Sequence, residues 1–248
     1  MSKSIHILGF HSVESLLRTN PESVIKVFIL NNRKDKRVNE LVNTLTNQNI
    51  AFSSVDKNDL DRIAKGEIHQ GVISEVILPP LLNEESLFKS ISENSLKPLI
   101  LILDSIQDPR NLGACLRSAN AAGVDYVVIN KDGSAPINAV VHKTSAGAIN
   151  SLKIFHVTNL SRTIKEMQKR GIWVIGLDGN SKSTIYGVDL TDATAVVMGS
   201  EGKGIRKLIK KTCDQIVTIP MSGNIESLNV SVATGIALFE SKRQRESS

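Results

Sequence analysis

Residues 99–130 read LILILDSIQDPRNLGACLRSANAAGVDYVVIN: five apolar residues without a break, a polar loop, an alanine-rich segment, and a second apolar run, YVVI, at 126–129. A strand with one wet face alternates apolar and polar residues, whereas an unbroken run marks a strand buried on both faces. WVIGL (173–177), AVVM (195–198) and IVTI (216–219) repeat the signature, and helical patterns such as NLSRTIKEMQ (159–168) separate them. The expected fold class is therefore α/β, with a parallel sheet covered by helices.

Upstream the pattern is finer grained. SVIKVFIL (23–30), IAFSSV (50–55) and GVISEVIL (71–78) read as strands. RVNELVNTL (37–45) sets Val38, Leu41, Val42 and Leu45 at helical spacing, and NDLDRIA (58–64) reads as a short helix. Residues 1–76 are expected to form a small α/β domain and residues 98–248 a second domain. Between them, 77–97 hold paired prolines, serines and acidic residues and read as a linker, partly helical around Leu87.

A chain of 248 residues with 41% hydrophobic and 22% charged content is large enough for two cores, and it falls outside the disordered and fibrous classes. No apolar run approaches a membrane span, and the N-terminal stretch lacks a signal-peptide pattern. Cys115 and Cys213 stand far apart, which argues against a disulfide framework or a zinc ribbon and favours a reducing, cytoplasmic setting. The five histidines show no metal-ligand spacing, so no metal is expected. The net charge is +5, and residues 98–248 carry the surplus, with 18 Lys and Arg against 13 Asp and Glu. Lys203, Arg206, Lys207, Lys210 and Lys211 surround Ile205, Leu208 and Ile209 at helical spacing, which reads as an amphipathic helix whose basic outer face is either solvated or a contact for a phosphate backbone.

Ligands of open parallel sheets collect beyond the carboxyl ends of strands, so the loops after the apolar runs are where chemistry is sought. GSEGKG (199–204) matches neither the P-loop nor the dinucleotide fingerprint; its glycines read as a tight strand-to-helix turn, and Glu201 within it as an orienting or binding group. DPRNLGACLRS (108–118) sets Asn111 at the start of a helix as a cap and Arg117 nearly two turns on, facing a polar partner such as a carboxylate or phosphate. IESLNVSVATGIALFE (225–240) gives Ser227 a capping role and sets Leu228, Val232, Ile236 and Phe239 as a core-facing stripe; no GxSxG surrounds the serine.

Together, NLGACLR, VMGSEGKGI and IPMSGNIESLNVSVATGIALFE resemble, in order and spacing, the three motifs of the SpoU (TrmH-like) branch of the SPOUT methyltransferases, over residues 98–245. ILGFHSVESLL and HQGVISEV resemble the substrate-binding domain attached to the ribosomal RNA guanosine 2′-O-methyltransferases of that branch. The resemblance implies an L30e-like N-terminal domain, a C-terminal domain closed by a deep trefoil knot, a homodimer, and S-adenosyl-L-methionine as cofactor. It implies methyl transfer to the ribose 2′-hydroxyl of a guanosine in 23S ribosomal RNA. Carried over by position, Gly199, Ile219 and Leu228 hold the adenosyl moiety, and Asn111, Arg117, Glu201, Ser227 and Asn229 are the catalytic-site residues. A transfer RNA or another ribosomal site, and a noncatalytic RNA-binding scaffold, are the alternatives.

Overall fold

The computed structural model describes residues 4–33, 35–77, 82–94, 97–223 and 227–247, and counts of elements and partners refer to these. In chain order the first elements are β1 (Ser4–Leu8), α1 (Phe10–Thr19), β2 (Val24–Leu30), α2 (Lys36–Asn47), β3 (Phe52–Val55), α3 (Lys57–Ala64) and β4 (Val72–Ile77). They are followed by β5 (Leu82–Asn83), α4 (Glu84–Asn94), β6 (Leu99–Asp104), α5 (Pro109–Ala122), β7 (Tyr126–Asn130), α6 (Ala139–Thr144), β8 (Lys153–Val157) and α7 (Leu160–Gln168). The chain closes with β9 (Trp173–Leu177), β10 (Thr194–Gly199), α8 (Lys207–Thr212), β11 (Gln215–Val217) and α9 (Val230–Glu246). These elements divide into two compact units, Met1–Pro80 with Ile137–Ser151, and Leu81–Pro136 with Leu152–Ser248.

In the first unit the sheet runs β1-β4-β2-β3, with only the β2–β3 pair parallel. Alternation along β2 sends Val27 and Ile29 to one face, where Val13 and Leu17 of α1 and Val38, Leu41 and Leu45 of α2 cover them. Phe28 and Leu30 face the other side, toward Leu60 and Ala64 of α3. Asp35 and Asp56 cap α2 and α3 by accepting from Val38 N and Asp59 N. Residues 137–151, inside the stretch read as the second domain, pack here: α6 lies on β1, and Lys143 pairs with Glu67 at 3.4 Å.

The second unit is built on a seven-stranded sheet, β11-β9-β10-β6-β7-β8-β5, in which every neighbouring pair is parallel. Every residue of β6, β7 and β10 is buried, as unbroken apolar runs require. The stretch read as a linker contains β5 at the sheet edge and α4, whose Leu87 and Ile91 enter the same core. From β6 the chain builds outward through β7 and β8, then crosses back to lay β9, β10 and β11 on the other side. The reversal falls between β6 and β10, where a crevice opens beyond the carboxyl ends of the strands. No described helix is long and apolar enough to cross a membrane.

Two helical expectations need correction. The basic segment does not form one helix from Lys203 to Lys211. Gly202 and Gly204 have positive φ, a Ser200–Gly204 bridge closes a turn, and α8 starts only at Lys207. Ile205 and Ile209 are buried there, but Leu208 is 64% exposed. On α9 the core-facing stripe is not Leu228, Val232, Ile236 and Phe239, since Val232 and Phe239 are about half exposed. The buried face is Val230, Thr234, Ala237, Leu238 and Ser241, against the alanine-rich α5. Thr234 and Ser241 are tolerated inside because their hydroxyls donate to Val230 O and Ala237 O, 2.7 and 3.0 Å away.

His142 is 2% exposed, and its Nε2 has no hydrogen-bond partner among the described residues. Burial lowers its pKa from 6.5 to about 4. Between those values the unfolded chain binds the proton and the folded one does not, so stability is full above pH 6.5 and falls as the pH drops toward 4. The loss attributable to this group approaches about 3 kcal/mol. Urea unfolding at pH 7 and pH 4.5 of the wild type and His142→Leu is expected to show a shallower acid-side loss in the variant. Equal slopes would overturn this assignment.

Candidate functional site

Two strand ends define the site. Asp104 ends β6 and Gly199 ends β10, and the two residues face each other in register. Past Asp104, Ser105 takes φ of 63°, held by its N–H donating to Asn130 Oδ1 at 2.8 Å, and the chain turns into α5. Asp108 caps that helix through Arg110 N, and Pro109 fills the first position, so Asn111 stands within the first turn and is not the cap expected from sequence. Past Gly199, the turn carrying Glu201 folds back so closely that a Cβ on Gly199 would lie 2.0 Å from Gly204 C and 2.1 Å from Ile205 N. Only glycine fits that approach of backbone to backbone.

The third loop delivers Asn229, which caps α9 by accepting from Ser231 N at 2.9 Å; the cap was expected at Ser227. Ser231 Oγ also donates to Asn229 Oδ1, at 2.6 Å. With its oxygen committed, the amide turns its Nδ2 to Asn111 Oδ1 at 3.1 Å and Glu201 Oε1 at 2.5 Å. One side chain thus joins the loops that follow β6, β10 and β11.

Two clefts adjoin this junction. The first, of about 880 Å³, is lined by Asp178, Gly199, Ile219, Ser227, Leu228 and Asn229 among others; the second, of about 570 Å³, includes Asn111, Arg206 and Lys207. Ser200, Glu201, Lys203, Gly204 and Val230 line both, so Glu201 stands on the shared wall. Of the residues expected from sequence, Gly199, Ile219, Leu228, Ser227, Asn229, Glu201 and Asn111 gather here. Arg117 does not: it is exposed on α5, lines neither cleft, and makes no hydrogen bond or ion pair with any described residue.

Sequence reading missed two acidic anchors. Asp104 is fully buried and accepts from Arg206 N and Nε at 2.9 and 2.7 Å. Asp178 borders the first cleft and pairs with Lys210 Nζ at 2.8 Å. Burial pushes its carboxyl pKa up, but hydrogen bonds from Lys210 and Asn180 together with the charge of Lys210 outweigh it and hold the group below the usual range. Both aspartates directly follow apolar strand residues, and that placement was the available signal. Burial drives the Cys115 thiol up to about 11, which removes it as a nucleophile. No cluster of potential metal ligands occurs among the described residues.

The SpoU rRNA Methylase family model matches residues 98–239, and the RNA 2′-O ribose methyltransferase substrate binding model matches residues 6–80. The chain belongs to the SpoU rRNA methylase family. It is 47% identical over 243 residues to the 23S rRNA (guanosine-2′-O-)-methyltransferase RlmB of Haemophilus ducreyi, covering 98% of each chain. The RlmB of Escherichia coli is 44% identical, with 96% of this chain and 98% of that one covered. Among solved structures, the SpoU methyltransferase AviRb from Streptomyces viridochromogenes, in complex with AdoMet, superposes with a TM-score of 0.81 at 21% identity, over 99% of this chain and 92% of that one. That likeness concerns the fold. The A. aeolicus TrmH/SpoU tRNA modifying enzyme is 32% identical, with a TM-score of 0.56 over 66% of this chain and 85% of that one.

Gly199→Ala is expected to force the Glu201 turn away from β10, costing about 1–3 kcal/mol of stability and loosening the first cleft. Thermal melts with and without S-adenosylmethionine check it: the wild type is expected to gain stability from the ligand and the variant to lose most of that gain. A variant with wild-type behaviour in both melts would refute the close-approach argument.

Proposed function

We propose that this protein transfers the methyl group of S-adenosylmethionine to the ribose 2′-hydroxyl of a guanosine in 23S ribosomal RNA. The observation that carries this reading is the Asn111–Asn229–Glu201 junction on the wall between two adjoining clefts. One cleft suits the donor and the other the acceptor, and the full-length likeness to RlmB proteins supplies the substrate.

The first cleft fits the cofactor. Its volume lies in the range of small-molecule sites, and Ile219, Leu228, Met198 and Ala233 give it apolar wall for an adenosyl group. Asp178 and Glu201 provide carboxylates for the positive groups of the ligand. When bound, S-adenosylmethionine supplies an electrophilic sulfonium methyl. The protein's own task is then alignment, holding an oxygen in line with that methyl, and removal of the hydroxyl proton during attack. Asn229 holds Glu201 by Oε1, leaving Oε2 to accept the proton, while Asn111 and Ser227 position the groups around it. Arg117, resistant to deprotonation, serves as an orienting cation for an RNA phosphate.

We assign the first unit, residues 1–80 with 137–151, to RNA selection and the second, residues 81–136 with 152–248, to methyl transfer, with a C-terminal segment that closes a trefoil knot. The return of α9 onto α5, after the chain has crossed to the far side of the sheet, supports that threading. Exposed Val232 and Phe239 on α9 support a homodimer. Cytoplasmic placement suits an enzyme of ribosomal RNA that keeps two free thiols.

Labelled methyl transfer to unmodified 23S rRNA, 16S rRNA and transfer RNA, followed by mapping of the mark, tests the reading. A single 2′-O-methylguanosine in 23S rRNA is expected. A mark in transfer RNA would keep the chemistry and replace the substrate, and no transfer to any RNA would overturn the function. Arg117→Ala is expected to slow single-turnover transfer about 100-fold with cofactor affinity retained, and Arg117→Lys to rescue little, because a point charge lacks the planar fork.

A further inference from the structure

We propose that Arg206 is a phosphate-gripping residue of the second cleft, pre-oriented by the buried Asp104 to hold an RNA phosphodiester beside the target ribose. The inference rests on the methyl-transfer reading and adds to it a directed role for one residue of the basic segment.

The geometry is specific. Asp104 has no exposed surface, and its two oxygens take the backbone N–H and the Nε–H of the same residue, Arg206, at 2.9 and 2.7 Å. Oδ1 also accepts from Ser105 Oγ at 3.2 Å, and a buried carboxylate that accepts both the backbone N–H and the Nε–H of one arginine directs that guanidinium. The Nη nitrogens are left over. Neither bonds to a described residue, the side chain is 53% exposed, and Arg206 lines the cleft that also holds Asn111 and Glu201.

Arginine carries five N–H donors in a rigid fork, and the edge left free here is the one that matches two oxygens of a phosphate. Most of the cost of ordering a long side chain is met within the folded protein before RNA arrives. Lys203 and Lys207 border the same cleft, so an anion meets two further cations, while Asp108 and Glu201 oppose them with negative charge. A phosphodiester satisfies this arrangement in charge as well as in hydrogen bonds; a guanine O6/N7 edge fills the fork but leaves the positive charge of Arg206, Lys203 and Lys207 uncompensated. Arg206 therefore works differently from a lysine on a solvated helix face, because its direction is fixed.

The test uses the full chain and an unmodified 23S rRNA transcript. Arg206→Gln keeps an N–H donor for Asp104 and removes the charge and the fork, and Arg206→Lys keeps the charge alone. RNA affinity is measured from 50 to 300 mM salt, and cofactor affinity and melting temperature separately. For Arg206→Gln the expected result is RNA binding weakened about 10-fold, a log–log salt slope lower in magnitude by about 0.7–0.9, and wild-type cofactor affinity. Arg206→Lys is expected to recover the salt slope but only part of the affinity. An unchanged slope and RNA affinity in Arg206→Gln would overturn the proposal, whether or not the variant melts earlier, and would leave Arg206 as a structural clamp. Failure of the underlying reading is separate, since it would appear as a wild-type protein that transfers no methyl group to any RNA.

Discussion

Asp104 and Gly199 face each other across two parallel strands at the point where the chain reverses its direction of growth through the sheet. Everything functional depends on that pair. A parallel sheet presents its loops at strand ends, and at the reversal two neighbouring loops diverge and leave a crevice. Here the residues at the fork serve different needs. Gly199 has no side chain, so the Glu201 turn can fold down on the strand. Asp104 has a buried carboxylate, and it ties that turn's far end, at Arg206, back to β6. The turn is pressed in at its start and held at its finish, so Glu201, at its tip, occupies a defined place.

The third loop completes the site by a different economy. An asparagine at a helix start would ordinarily spend its oxygen on the first free N–H groups and leave its amide nitrogen to water. Asn229 uses the oxygen in that way and points the nitrogen at two other loops. Capping thus fixes the orientation of the amide, and the oriented amide fixes Glu201 and Asn111 relative to one another. Ser227, two residues earlier, lines the first cleft and is not needed as a cap.

Much of this was legible in the residues. Unbroken apolar runs mark β6, β7, β9 and β10, because burial on both faces leaves little room for alternation, and a shorter run marks β11, an edge strand that is only partly buried. β8 escaped notice, since KIFHV carries Lys153 and His156 within only five residues. The buried face of α9 departs from its most hydrophobic stripe because close packing on the alanine-rich α5 selects small side chains, including hydroxyls that satisfy themselves on the preceding turn. Packing of residues 137–151 with the first unit is a long-range choice that no local pattern encodes.

The basic segment shows why counting charges is a weak guide to what they do. Five cations in nine residues suggested one solvated helix face, but the turn at Gly202–Gly204 divides them. Lys210 is drawn to Asp178, Arg206 to Asp104, and Lys203 and Lys207 remain beside the second cleft. Each aspartate is less exposed than its basic partner, so the carboxylates set direction and the cations reach outward. A run of positive charge attracts a polyanion from any approach. Anchored on acids that end or follow strands of the sheet, Asp104 buried and Asp178 partly so, the same charges hold one part of it in one orientation, and orientation is what transfer between two bound groups requires.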